Sequence, residues 1–295
     1  MTATMDLVGR SGAGPREAAA WSHRQVLMTN LRSIRGRAYP RVIGLAREPS
    51  WVLFEILLPF LGTSAFVFVY RALDAPQQYV GFVVLGGALT AFWLNVIWMM
   101  ANQLYWEKSQ GNLELYFAAP MHFMSILFGM AVGGMVMSST RAATVLLVAG
   151  TVYGVVFSVD QWALLLGVFV LTLAALYGLG MVLASVFLVW GREAWHMGQL
   201  FTEPVYFVSG LNFPVARLGF LGALSVALIP LATGLDAMRQ LAFSAAAFPL
   251  GTPAPLVEVA ILAVMTVVSV LGARWMLAAM ERRARRDGRL SVRWQ

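Results

Sequence analysis

Long apolar runs separated by short polar intervals set the pattern of this chain. A helix that crosses a membrane needs about 20 apolar residues. Runs of that kind occupy 51–70, 79–101, 126–157, 162–190 and 256–280. The third is broken only by Ser138, Ser139, Thr140 and Arg141. A polar interval at 102–120 separates the second run from the third. Ser158-Val159-Asp160-Gln161 closes the third without Lys or Arg, and Gly191-Arg192-Glu193 closes the fourth. The stretch 199–250 is apolar but punctuated by Pro204, Gly210, Pro214, Gly219, Gly222, Pro230 and Gly234. One straight helix cannot hold that many breakers. The pattern therefore predicts a fifth span ending near Pro214, then a re-entrant hairpin of apolar half-helices, the kind of backbone that survives at membrane depth only when protein or a cavity covers it. The expectation is an all-α integral membrane protein with six spans.

Ahead of the first run, 21–45 carries Leu27, Leu31 and Ile34 at helical spacing among several arginines. This predicts an amphipathic helix lying on one leaflet, interrupted at Pro40. Trp51, Trp106, Trp162 and Trp190 fall near span ends, as an interfacial aromatic belt would. Gly129 with Gly133, and Gly150 with Gly154, are small-residue pairs that allow close helix contact. The resulting division is 1–49 for the tail and amphipathic helix, 50–281 for the six-span domain and 282–295 for a basic tail.

Composition agrees. Of 295 residues 59% are hydrophobic and only 12% charged, about half the charge of a soluble domain. The net charge of +7 raises nucleic acid as a partner, but the arginines sit at the ends: eight in the first 50 residues and six after the last apolar run. Such clusters place both termini in the cytoplasm and suit anionic lipid rather than nucleic acid. The first 20 residues have no apolar core, so a cleavable signal peptide is not expected.

Several chemistries lack their residues. There is no cysteine, which excludes disulfides and thiolate sites. A nucleotide-binding P-loop needs Gly-Lys-Ser/Thr, and the one lysine, Lys108, follows Glu107. His23, His122 and His196 are scattered. No catalytic residue, metal or cofactor is expected on this chain, and any uphill work would draw its energy from a partner.

The interval 102–120 holds Tyr105-Trp-Glu-Lys-Ser-Gln-Gly-Asn-Leu-Glu-Leu-Tyr-Phe-Ala-Ala-Pro120. Asn112 is placed to cap a short helix, with Glu114 in its first turn. Leu113, Tyr116 and Phe117 then form an apolar stripe. Two uses stay open: rest on the lipid surface, or dock into another protein's groove.

This interval and two later ones together resemble the permease subunit of type-2 ATP-binding-cassette exporters. Glu107, Gly111, Leu113, Glu114 and Pro120 match the family's Glu…Gly-Thr-Leu-Glu…Pro pattern, with Asn112 in place of Thr. Ser209, Gly210, Phe213 and Pro214 match its Ser-Gly…Phe-Pro pattern, and Pro230, Asp236 and Arg239 its Pro…Arg pattern. Gly219 stands where a second proline is common. The resemblance implies paired permeases, a second copy or a similar chain, on two cytoplasmic P-loop ATPase subunits that bind ATP and Mg. It makes the helix around 111–119 the coupling helix, with Leu113, Tyr116 and Phe117 as its docking face, and 21–45 the connecting helix. The expected setting is a bacterial plasma membrane.

Polar groups within the runs are candidates for the path, since each costs about 2.5–3.5 kcal/mol at mid-span on insertion scales. Asn95 and Asn102, seven apart on one face, are expected to line it. Arg141 and Glu203 are candidates too, with an ion pair between them as one possibility, whereas Glu55 is expected to reach the near interface. Ser209, Gly210, Phe213 and Pro214 belong to the expected gate. Asp236 and Arg239, three apart, are expected to pair locally. The cargo implied is an amphipathic or hydrophobic compound such as a drug, natural product or lipid. A polysaccharide on the same fold, or a carrier needing no ATPase, are the alternatives.

Overall fold

The computed structural model describes residues 23–47, 49–118, 122–190, 194–243 and 253–287, which are helical with short connections. In chain order they form α1 (His23–Arg47), α2 (Pro49–Ala72), α3 (Gln77–Leu94), a π-helical segment (Asn95–Ala101), α4 (Gln103–Ser109), α5 (Asn112–Ala118), α6 (Phe123–Tyr153), α7 (Trp162–Trp190), α8 (Ala194–Val208), a 3-10 turn (Val215–Leu218), α9 (Phe220–Leu228), α10 (Pro230–Ala242) and α11 (Pro255–Asp287). Pro120, Gly191-Arg192-Glu193 and the tail beyond 287 lie outside the described residues, as do positions 1–22.

Among the described residues, four helices are long and apolar enough to cross a membrane: 77–109, 123–153, 162–188 and 255–280. The expected first span is present as α2, whose apolar piece by the same measure is the shorter Ile56–Ala72. The expected fifth span departs most. α8 has 15 residues, a rise of about 22 Å, against about 30 Å of hydrocarbon. The described helices thus give four candidate spans of the six expected, or five if the bent α9–α10 pair is one.

That pair lies where the hairpin is expected. α9 and α10 meet at 103°. Ile229 between them is extended (φ −113°, ψ 110°), because the ring of Pro230 disfavours the helical region for the residue before it. Pro230 itself opens α10, where a missing N–H costs nothing. Gly219, the departure from the family pattern, has φ +57° and ψ −124° as it leads into α9, a conformation that suits glycine and not proline.

α1 runs lengthwise along the first half of α6 and is not interrupted at Pro40, which lies inside the helix on its exposed side. The contact is set by Gly129 and Gly133. A Cβ on Gly129 would stand 2.7 Å from the Ile34 carbonyl, and one on Gly133 3.1 Å from that of Ala38. This is the close approach expected of the small-residue pair. Gly150 has nothing near its Cβ position, and Gly154 (φ +67°) ends α6 as its left-handed cap; the second pair is not a packing pair. Leu27 and Leu31 are exposed and Ile34 is half-buried, its backbone lying against Gly129.

The core lies between α3, α6, α7 and α10, around Phe82, Phe92, Trp93, Tyr177 and Phe187. At the end of the bundle away from α5, Gln77 Nε2 and Arg71 Nη2 donate to the Tyr153 carbonyl (2.8 and 3.2 Å), and Tyr70 donates its hydroxyl to the Asn212 carbonyl (3.0 Å).

Candidate functional site

At one end of the bundle, α4, α5 and the inward side of α1 meet on Glu107, which is 3% exposed. Its Oε1 accepts from Arg37 Nη2 and from Gln103 Nε2 (2.8 Å). Its Oε2 accepts from Asn112 Nδ2 (2.8 Å) and the Tyr116 hydroxyl (2.9 Å). Four donors satisfy a buried carboxylate in full, the condition under which its burial is tolerated. Arg37 also lies over the Tyr116 ring, 5.6 Å from its centroid. Gly111 makes the corner between α4 and α5 with φ +78°, in the region that favours glycine. Asn112 opens α5, and its amide nitrogen goes to Glu107 and Gln110.

This geometry redraws the expected docking face. Leu113 is buried and Tyr116 is turned inward to Glu107 and Phe123, so both fasten α5 to its own chain. The apolar residue that points away is Leu115, 68% exposed. In the preceding segment Trp106, Lys108, Ser109 and Gln110 are exposed as well. Glu114 and Phe117 belong to α5, but their side chains are outside the described set.

At the other end, Arg239 of α10 binds the 209–214 turn to α3. Its Nη1 donates to the carbonyls of Gly210 (2.6 Å) and Phe213 (3.2 Å), and its Nη2 to those of Leu211 (2.8 Å) and Phe82 (2.9 Å). The guanidinium also faces the Phe82 ring at 5.1 Å. Two glycines permit the approach. A Cβ on Gly86 would fall 1.8 Å from the Leu211 carbonyl oxygen, and Gly210 adopts φ +64°. Phe213 meets Phe207 edge-on at 6.0 Å, and Pro214 opens the 3-10 turn.

A family model described as ABC-2 type transporter matches residues 41–243, more than half of the chain. The chain belongs to that family. It is the permease component of an ABC transporter and a multi-pass membrane protein; membrane domains of this family are not catalytic, and the ATPase is a partner subunit. A comparison with curated proteins finds no match.

The remaining residues of the permease fall into place differently from expectation. Asp236 and Arg239 do not form the expected local pair. Arg239 is spent on four carbonyls, and Asp236 accepts from Gln240 Nε2 (3.1 Å), which also reaches Glu258 Oε2 (3.3 Å) on α11. Asn95 and Asn102 are each 1% exposed and face packed helices rather than a path. Asn95 Oδ1 accepts from the Tyr177 hydroxyl (3.0 Å), and Asn102 Nδ2 donates to the Ile97 carbonyl (2.9 Å). Arg141 is buried near Tyr177, whereas Glu203 is exposed on α8 near Tyr206. The two therefore have different surroundings. Ser209 is buried beside the Arg239 turn.

Sequence reasoning missed Arg37 and Arg41. They are four apart, which puts them on one side of α1, the side that packs on Gly129 and Gly133 of α6. Arg41 donates to the Met99 and Met130 carbonyls. Burial and then the charge of Arg37 hold it down at about 10, so it remains a cation at neutral pH.

Proposed function

We propose that this permease, working as a pair with a second copy or a similar chain, exports an amphipathic or hydrophobic compound across a bacterial plasma membrane. Both termini face the cytoplasm, where two P-loop ATPase subunits carry ATP and Mg. α4–α5 is the coupling corner, and the chain itself carries no cofactor. The observation that carries this reading is the Glu107 cluster. Four hydrogen bonds from α1, α4 and α5 fix a short helix that is too short to hold itself, and they leave Leu115 exposed. A helix held rigidly from behind transmits a push from in front. For the cargo, the support is the exposed apolar row Phe220, Leu224 and Leu228 on α9, beside the turn held by Arg239. Residues four apart share a helix face, and such a face suits a lipid-like molecule or a second permease.

The test separates the two sides of α5. Leu115→Glu is expected to abolish co-purification of the ATPase while the melting temperature stays within error, because that side chain is exposed. Leu113→Glu is expected to lower the melting temperature, since it places a charge at a buried position. A Leu115→Glu permease that keeps a stoichiometric, stimulated ATPase would remove α5 from the coupling role.

A further inference from the structure

The asparagines singled out in the second span, Asn95 and Asn102, bracket its most unusual backbone. Residues Asn95–Ala101 form a π-helix, a form that is rare and frequent at functional positions. The wide ladder is explicit where it ends. The Asn102 N–H bonds the carbonyl of Ile97, five residues back (3.2 Å), and the Asn102 side chain doubles that bond. A wide turn packs and bonds less well than an α-turn, so its neighbours have to hold it.

They do so from three sides. α7 reaches Asn95 through the Tyr177 hydroxyl and presents Gly180 to Val96 and Met100, where a Cβ would come within 2.9 and 3.0 Å. α8 presents Gly198 to Asn102, 3.0 Å from its Nδ2. α1 supplies a charged contact. The Arg41 fork spans the Met99 carbonyl, inside the π segment, and the Met130 carbonyl on α6 (3.2 Å). One turn earlier on α1, Arg37 holds Glu107, beyond the segment. α1 thus grips the span both within the wide turns and past them.

We propose that Asn95–Ala101 is a joint in the second span and that Arg41 is the positioning residue that keeps it in the wide form. The geometry gives the joint a defined output. Passing one residue of slack through it turns α4 and α5 against α3 by about 100° with about 1.5 Å of rise. Movement at the coupling corner then becomes rotation of α3, whose Phe82 carbonyl and Gly86 contact the turn clamped by Arg239. That use rests on the coupling role proposed for α5; the lock itself does not.

Hydrogen exchange on the full chain in lipid nanodiscs, without any ATPase, tests the lock apart from the exporter reading. Arg41→Gln is expected to speed exchange of the amides in 97–103 by about tenfold or more, the scale of one lost charge-assisted hydrogen bond. The α7 and α11 amides should stay unchanged. Arg41→Lys should restore part of the protection, because an ammonium reaches one carbonyl and not both. If Arg41→Gln does not fold, Gly133→Ala serves instead. Its Cβ meets the Ala38 carbonyl and the Arg41 Cβ at 3.1 and 3.2 Å, so it lifts α1 from α6 and should free the same amides. Unchanged exchange in 97–103, or an equal rise throughout α6 and α7, would overturn the proposal.

Discussion

Replacing Glu107 with alanine is expected to free α5 and uncouple the permease while leaving the rest of the bundle folded. The carboxylate is the shared acceptor for Arg37, Gln103, Asn112 and Tyr116, so one substitution strips four donors. Breaking a buried ion pair from one side costs about 3–5 kcal/mol. Arg37 is 26% exposed and recovers some hydration, which puts the expected cost near the low end, about 3 kcal/mol. Glu107→Gln keeps an acceptor oxygen but loses the charge, and should fall between the two. Removing Arg37 as well should cost less than the two single changes summed, because the second change removes the stranded cation. Thermal melting of the four proteins checks the cycle. Strict additivity would mean the pair carries no coupling.

Replacing Arg239 with alanine is expected to be at least as severe, at the opposite end. The side chain is 2% exposed, and its loss leaves the carbonyls of Phe82, Gly210, Leu211 and Phe213 without their shared donor. The Gly210 carbonyl keeps the Phe213 N–H and that of Phe82 lies within the α3 ladder, so two carbonyls, Leu211 and Phe213, are stripped at about 1–3 kcal/mol each. Lysine should rescue poorly, since a single ammonium cannot span acceptors that a planar fork reaches. The expected signs are a lower melting temperature and protease cleavage in 209–219. Wild-type protease resistance in Arg239→Lys would show that charge alone holds the turn.

The sequence made the long spans legible because about 20 apolar residues in a row admit few structures. It also made the α9–α10 break legible, since Pro230 excludes a helical Ile229. The fifth span was harder to read. The 199–250 stretch is apolar throughout, and only coordinates show that α8 stops at Val208. The motif residues of the site could be listed from sequence, but their partners could not. Glu107 reads as a coupling-corner acid, while its donor Arg37 lies 70 residues earlier in a helix whose arginines look alike. The docking stripe inverted for a related reason. Periodicity puts Leu113, Tyr116 and Phe117 together without saying which way they face, and the inward pull comes from the bond between Tyr116 and Glu107. Asn95 and Asn102 look like path residues by spacing alone. Their partners, Tyr177 and the Ile97 carbonyl within a π-turn, leave no periodic trace.

The central claim is that this permease works through a partner ATPase seated on α4–α5. It is tested most directly by purifying the chain from its native host in mild detergent, then assaying ATP hydrolysis and identifying what co-purifies. The account predicts a stoichiometric P-loop ATPase whose retention is lost in Leu115→Glu. Recovery of the chain alone, transporting in liposomes without nucleotide, would contradict it.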